Sequence, residues 1–153
     1  MLDAIDVQIL GELQKNCAQS LTDLGSKVHL SRNAVWRRLA RLEDDGYIIE
    51  KVARLDRERL NLGFTVFMEI RTDTHSLDWI NRFHSAVRDI PEFVGIYRMS
   101  GDVDYLLQAV IPDMKSYDQL YKKLISRIEL SDVSSRFVME EIKQTSQLPL
   151  DYL

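Results

Sequence analysis

SLTDLGSKVHLSRNAVWRRLARLEDDG, residues Ser20 to Gly46, predicts two short helices around a tight turn. Ser20 is a favoured N-cap, and Asp23 three residues later gives the pattern of a capping box. Ser31 opens a second, longer helix in the same way, and Gly46 stands where that helix should stop. Two helices at this spacing are typical of a helix-turn-helix, which places its second helix in the major groove of DNA.

The second helix of this pair has one apolar side and one basic side. At about 100° per residue, Val35, Leu39 and Leu42 fall together and predict the buried stripe. On the opposite side, arginine is the usual reader of guanine and asparagine can pair with adenine. The free N–H groups of the first turn can hold a phosphate. The candidate DNA-contacting residues are Ser31, Arg32, Asn33, Trp36, Arg37 and Arg41.

Other residues of this helix are open to more than one interpretation. Trp36 lies on a flank, where packing against the first helix fits the pattern as well as contact with DNA. Arg38 lies nearer the buried edge, which favours a structural ion pair or a phosphate contact over base reading. Glu43, Asp44 and Asp45 follow at the far end and would be repelled by DNA. We therefore expect the N-terminal half of the helix to enter the groove.

Charge is unevenly distributed along the chain. The net charge of −4 excludes a generally basic nucleic-acid-binding protein. From Lys27 to Arg41, however, there are five basic residues and no acidic ones. Such a run indicates a surface that faces phosphates, although a solvated helix face has the same composition.

The flanking segments complete an N-terminal domain. A first helix is predicted by apolar residues at helical spacing, Leu2, Ile5, Ile9 and Leu13. The segment YIIEKVARL, from Tyr47 to Leu55, is suited to the small β-wing of a winged helix. We therefore predict a winged helix-turn-helix DNA-binding domain, with its connecting segment, over residues 1–62.

From Gly63 the apolar residues alternate with a period of two, which is typical of strands. Strands are predicted over Phe64–Arg71, Phe93–Met99, Tyr105–Ile111 and Val133–Ile142, with a helix after the first and the third. The order βαββαβ is that of a ferredoxin-like sandwich, with two helices on one face of an antiparallel sheet. The fold class is therefore α+β, with a second domain over residues 63–153. Apolar residues on the uncovered face predict a partner subunit there.

The turn SGDVD, from Ser100 to Asp104, is the candidate ligand site of this second domain. Gly101 permits close backbone approach, and exposed loop amides can hold a carboxylate. Asp102 or Asp104 can pair with an ammonium group, so the loop suits an amino acid. Met99 would supply an apolar wall beside it. A plain hairpin turn is the alternative, because Gly-Asp is also a strong turn signal.

Three blocks of the chain resemble the Lrp/AsnC family of transcription regulators. They are LDAIDVQILGELQKN (Leu2–Asn16), LSRNAVWRRLARLEDDGYI (Leu30–Ile48) and SGDVDYLLQAVIPDMKSYDQLY (Ser100–Tyr121). The ending FVMEEIKQTSQLPL is similar as well. The segment RLEDDG and the DYL ending resemble a branch of the family that controls cysteine breakdown.

The resemblance implies a sequence-specific DNA-binding regulator with an effector domain. In this family, effector domains pair into homodimers that commonly assemble into octamers, and a small amino acid binds between them and adjusts DNA binding or assembly. The similar loop lies at that pocket, which implies effector contacts by Gly101, Asp102 and Asp104, with Met99 beside them. The resemblance also implies three effector contacts from the last strand of a neighbouring subunit, by Ser134, Ser135 and Arg136.

Other functions find little support in the sequence. There is no P-loop, dinucleotide-binding fingerprint or nucleophile elbow, so we expect no enzyme and no cofactor besides the amino acid. No metal-ligand spacing joins the histidines to Cys17, which we interpret as a small packing residue rather than a redox sensor. The apolar runs are too short to span a membrane, which predicts a cytoplasmic protein without a membrane partner. The remaining alternative is an assembly module whose helix-turn-helix contacts only protein.

Overall fold

Three helices form at the N-terminus where the sequence predicts them. In the computed structural model, which describes residues 1–153, they are α1 (Ala4–Lys15), α2 (Leu21–Lys27) and α3 (Arg32–Asp44). The helix after Ser31 ends just before Gly46, whose φ is 77°. The predicted helix-turn-helix is therefore confirmed in its elements.

Each helix begins at a side-chain cap. Ser20 and Ser31 accept a hydrogen bond from the backbone N–H three residues on, as does Asp3 at the start of α1. The reciprocal capping box forms at Asp3 and Asp6. At α2 the box is incomplete, because the Asp23 carboxylate accepts from the Ser20 hydroxyl at 2.7 Å and not from its backbone.

A tight turn joins α2 to α3 and lets their apolar sides meet. His29 adopts a φ of 55°, and the Leu30 N–H donates to the carbonyl of Gly25 at 2.9 Å. This bond reaches back across the helix end as in a Schellman motif. The helices enclose a core of Ile9, Leu24, Val28, Val35, Leu39 and Leu42.

The chain divides into two compact units, and the division differs from the predicted one. The first unit joins Met1–Arg54 to the C-terminal tail, Lys143–Leu153, and the second comprises Leu55–Ile142. The predicted boundary after residue 62 assigned the tail to the second domain. Instead, Leu148 donates to the Gln14 side chain at 2.6 Å and accepts from it at 3.1 Å. Contacts far apart in sequence therefore fix where the tail lies.

The prediction of a β-wing over Tyr47–Leu55 is wrong. No residue of this segment belongs to a strand. A wing needs two strands that pair, and this segment has the C-terminal tail as its neighbour instead. Arg54 donates to the carbonyl of Gln144 at 3.1 Å. Cys17 lies beyond the end of α1 and is exposed, so it is not the packing residue that the sequence predicted.

The second unit has the predicted βαββαβ order. Its elements are β1 (Phe64–Arg71), α4 (Leu77–Arg88), β2 (Phe93–Arg98), β3 (Tyr105–Ile111), α5 (Met114–Ile125) and β4 (Asp132–Phe137). The strands form one antiparallel sheet in the order β2-β3-β1-β4. β4 ends five residues before the predicted Ile142, because its partner β1 begins at Phe64 and offers little to pair with beyond Phe137.

One face of the sheet is covered and the other is not. Val66, Met68 and Ile70 of β1 point to the covered face and are fully buried with side chains of α4 and α5. Phe67 and Glu69 alternate with them and point to the open face. Leu106 lies opposite Glu69 there, so the open face contains apolar side chains as predicted.

Candidate DNA-binding and effector sites

The outer face of α3 presents three polar side chains without a partner in the chain. Arg32, Asn33 and Arg37 are exposed, and none makes a side-chain hydrogen bond or ion pair. Trp36 beside them is 60% exposed, so it does not pack into the helical core. The Ser31 hydroxyl accepts from the Ala34 N–H at 3.3 Å as the cap. These residues form one surface with free hydrogen-bond donors.

Two other arginines of α3 are tied to the first helix. Arg38 donates to Asp3 at 2.6 Å and to Asp6 at 2.7 Å, as expected for a structural ion pair. Arg41, which the sequence predicts as a DNA contact, also donates to the second oxygen of Asp6. Its side chain remains 48% exposed. The helical rotation was correct, but it could not show that a carboxylate from α1 reaches this edge.

Asp6 is the residue that the sequence reasoning missed. Its side chain is only 1% exposed, although it carries an ionisable carboxyl group. Burial by itself raises the pKa of Asp6, but the backbone N–H of Asp3 and the guanidinium groups of Arg38 and Arg41 outweigh burial and hold the pKa below its usual range. The signal available in the sequence was an acid on the apolar side of the first helix, one residue after Ile5.

The acidic end of α3 is arranged as the sequence predicts. Glu43 pairs with Lys51, whereas Asp44 and Asp45 are exposed. The free arginines lie in the first half of the helix. The positive and negative ends are therefore separated along the same element.

In the second unit, the loop after β2 is closed by backbone hydrogen bonds. The Met99 N–H donates to the carbonyl of Asp104 at 2.9 Å, and the Asp104 N–H donates to that of Ile70 at 3.0 Å. Gly101 has a φ of 100°, which a residue with a side chain rarely adopts. The predicted hairpin turn is present, and Met99 is 43% exposed beside it.

The two acids of this loop have different surroundings. Asp104 accepts from the Thr72 N–H at 2.8 Å, and His75 lies 3.7 Å away. The Asp102 carboxylate is exposed and has no partner in the chain. Arg71 donates to the Asp102 carbonyl at 3.0 Å. The sequence did not point to Thr72, Arg71 or His75, because they precede the loop by about thirty residues.

The predicted effector residues on β4 do not share a face. Ser135 accepts from the Tyr117 hydroxyl at 2.8 Å, so it points towards α5. Arg136 points to the open face, where it donates to Glu69 at 2.8 and 3.2 Å. Ser134 pairs with Glu69 across the strands and faces the same way. None of the three bonds to the loop of Gly101–Asp104 within one chain.

Comparison with known proteins agrees with this architecture. Residues 2–43 match the model of the AsnC-type helix-turn-helix domain, and residues 65–148 match that of the Lrp/AsnC ligand binding domain. The chain belongs to the Lrp/AsnC family. Members of the Lrp/AsnC family that resemble this chain are transcriptional regulators and not enzymes.

Two curated Lrp/AsnC relatives align with almost the whole chain. The DNA-binding transcriptional activator DecR of Escherichia coli is 47% identical over 152 residues, which cover 99% of this chain and 100% of that protein. The glutamate uptake regulatory protein of Zymomonas mobilis is 46% identical over 149 residues, with coverage of 97% and 91%.

Solved structures show the same arrangement of elements. An AsnC family transcriptional regulator from Agrobacterium tumefaciens has a TM-score of 0.96 at 49% identity. A transcriptional regulator from Neisseria meningitidis, in complex with L-Met, has a TM-score of 0.95 at 35% identity. Both alignments cover 99% of each chain. In this chain, no helix has the length and apolar character that crossing a membrane requires.

Proposed function

We propose that this transcriptional regulator binds double-stranded DNA through the outer face of α3. The observation that carries the proposal is the set of unpartnered donors, Arg32, Asn33 and Arg37, on one exposed surface. Ser31 and Trp36 lie beside them at the end of α3 that is free of acids. Arginine and asparagine are the side chains that most often read guanine and adenine in the major groove.

The test compares Arg37→Ala with Arg88→Ala, which removes an exposed arginine from α4 in the other unit. The binding probe is a duplex selected from a random library by the wild-type chain. We expect Arg37→Ala to weaken binding by about tenfold or more, since one base contact contributes about 1–3 kcal/mol. Arg88→Ala should bind like the wild type. Equal binding by both variants would contradict the proposal.

Salt dependence distinguishes DNA binding from the alternative of an assembly module. A DNA-binding protein releases counterions from each contacted phosphate, so the affinity should fall steeply as salt rises. An assembly module would show no affinity for any duplex.

We infer a cytoplasmic protein without a membrane partner, since DNA is the proposed partner.

We further propose that a small amino acid binds at the loop of Gly101–Asp104 and adjusts DNA binding or assembly. The exposed Asp102 carboxylate has no partner and suits an α-ammonium group. Arg71 lies against the same loop, and the backbone at Gly101 is exposed for an α-carboxylate. Met99 offers apolar contact for a side chain. The L-Met complex of the Neisseria relative makes methionine the first ligand to test.

Asp104 supports this loop and does not contact the ligand in our proposal, because it already holds Thr72. The partner subunit in the proposed homodimer, or in an octamer built from such dimers, would bring Ser134, Ser135 and Arg136 near the pocket. Ser135 points towards α5, whereas Ser134 and Arg136 lie on the open face. Ser134 and Arg136 are therefore the two that a ligand could reach. The pocket formed by both subunits together determines which amino acid binds.

Calorimetry with L-Met and then the other amino acids tests the loop. We expect Asp102→Asn to weaken the binding of the best ligand by about tenfold, because it removes a charge-assisted hydrogen bond. Asp89→Asn makes the same change at an exposed helix end of the same unit and should leave binding unchanged. If Asp102→Asn binds as tightly as the wild type, the ligand lies elsewhere.

A further inference from the structure

A recess on the surface of α3 is lined by arginines. Ala34, Arg37, Arg38 and Arg41 line this shallow, open depression of about 400 Å³, the arginine recess. Three guanidinium groups on one helix repel each other, and a carboxylate close to them offsets this repulsion. The structure supplies that acid from another helix.

Asp6 anchors two of these arginines from below. Its Oδ1 accepts from Arg38 at 2.7 Å, and its Oδ2 accepts from Arg41. Each guanidinium carries five N–H donors, so bonds to Asp6 leave others free. The side chain of Asp6 is 1% exposed, whereas those of Arg38 and Arg41 are 25% and 48% exposed. Arg38 and Arg41 therefore stay partly accessible to solvent while Asp6 holds them.

The recess keeps a positive charge after this pairing. Asp3 and Asp6 are the only carboxylates bonded to it, against three arginines. A DNA backbone phosphate is an anion with several acceptor oxygens, and arginine binds it through parallel N–H groups. A preorganised guanidinium loses less conformational entropy on binding than a free one.

We propose that Asp6 positions Arg38 and Arg41 so that the arginine recess binds one DNA backbone phosphate. Arg41 then fixes where α3 lies on the duplex, whereas Arg37, which lines the same recess but has no anchor, supplies its excess positive charge and also contacts bases. The inference rests on the proposed DNA binding by α3 and assigns different tasks to its arginines. Contacts to phosphate position a protein, and contacts to base edges specify the sequence.

Asp6→Asn tests the positioning role, because two explanations predict opposite signs. The substitution makes the protein more positive, so simple charge attraction predicts tighter DNA binding. If Asp6 positions the arginines, affinity for both the selected duplex and a scrambled duplex should fall, by about tenfold. Asp44→Asn changes the charge equally at an exposed acid of α3 and should bind as tightly as the wild type or tighter. Unchanged or tighter binding by folded Asp6→Asn would overturn the proposal.

Arg41→Ala and Arg41→Lys test phosphate binding by Arg41 even if Asp6→Asn fails to fold. We expect Arg41→Ala to weaken both duplexes by the same factor and to reduce the slope of log affinity against log salt by about 1. Arg41→Lys should also weaken both duplexes, since lysine keeps the charge but lacks the fork. Arg37→Ala should weaken the selected duplex more than the scrambled one.

The outcomes separate this inference from the proposed function. A wild-type chain that binds neither duplex would overturn the proposed function and the inference together. If the wild type binds DNA but Arg41→Ala affects only the selected duplex, Arg41 reads bases and the inference alone is wrong. If Arg41→Ala leaves binding to both duplexes unchanged, the recess is purely structural.

Discussion

At the scale of single residues, Asp6 combines three roles that sequence patterns usually separate. It completes the capping box of α1, fills a fully buried position and pairs with two arginines of α3. A buried acid is costly unless its oxygens are satisfied. Here every oxygen has a donor, so the acid orients one helix against another.

The lowered pKa of Asp6 predicts how stability changes with acid. A group whose pKa is lower in the folded chain stabilises it above the ordinary value of 3.8, and this contribution is lost as pH falls through the lowered pKa. Asp6→Asn should cost about 1–3 kcal/mol at neutral pH, because it leaves charged donors poorly paired. Urea unfolding should show that the difference in free energy of unfolding between the wild type and Asp6→Asn narrows below about pH 4. A difference that stays constant with pH would contradict the lowered pKa of Asp6.

Gly25 is required by the close approach of a carbonyl in the turn between α2 and α3. A Cβ at this position would lie 2.5 Å from the Leu30 oxygen, whose residue is held by its own bond to Gly25. We expect Gly25→Ala to destabilise the chain by about 1–3 kcal/mol. In the control Gly11→Ala, the new Cβ would lie 3.8 Å from Leu150, and stability should rise by up to about 1 kcal/mol. Thermal unfolding of the two variants should therefore shift in opposite directions.

At the scale of elements, the local signals for helices and strands were largely sufficient. The caps at Ser20 and Ser31 located α2 and α3, and the alternation from Phe64 to Arg71 located β1. The wing failed because Tyr47–Leu55 is apolar enough for a strand but has no strand to pair with. The predicted β4 was too long because the end of this strand depends on its pairing with β1. The sequence pattern within β4 carries no information about that pairing.

The C-terminal tail makes an element-scale prediction of its own. Gln14 exchanges two hydrogen bonds with the backbone of Leu148, so Gln14→Ala should loosen the tail. Hydrogen exchange at the Leu148 amide should become faster by about tenfold, corresponding to about 1.4 kcal/mol. Gln8→Ala, at an exposed position of the same helix, is the matched control. Equal exchange in both variants would mean that other contacts hold the tail.

At the scale of the whole molecule, the open face of the sheet bears on assembly. Phe67 and Leu106 lie on it, and Tyr97 is 49% exposed beside Leu106. Apolar side chains on a broad surface are typical of a protein interface. The proposed homodimer would bury them.

Leu106→Glu tests this assembly, because it would place a second carboxylate beside Glu69 on the buried face, and like charges brought together cost several kcal/mol in association. We expect light scattering to give a smaller molar mass for this variant than for the wild type. Leu77→Glu places the same charge on the exposed start of α4 and should not change the mass. A mass that both variants share with the wild type would exclude the open face as the interface.

The sequence by itself determined the three N-terminal helices, the βαββαβ order of the second unit and the outer face of α3. These features depend on caps, periodicity and rotation along a helix, which act over a few residues. The tertiary structure decided the partners of Asp6, which are 32 and 35 residues away, and of Gln14, which is 134 residues from Leu148. Such pairs form only when packing brings distant elements together, so no local pattern contains them. That packing separates the free Arg37 from the anchored Arg41.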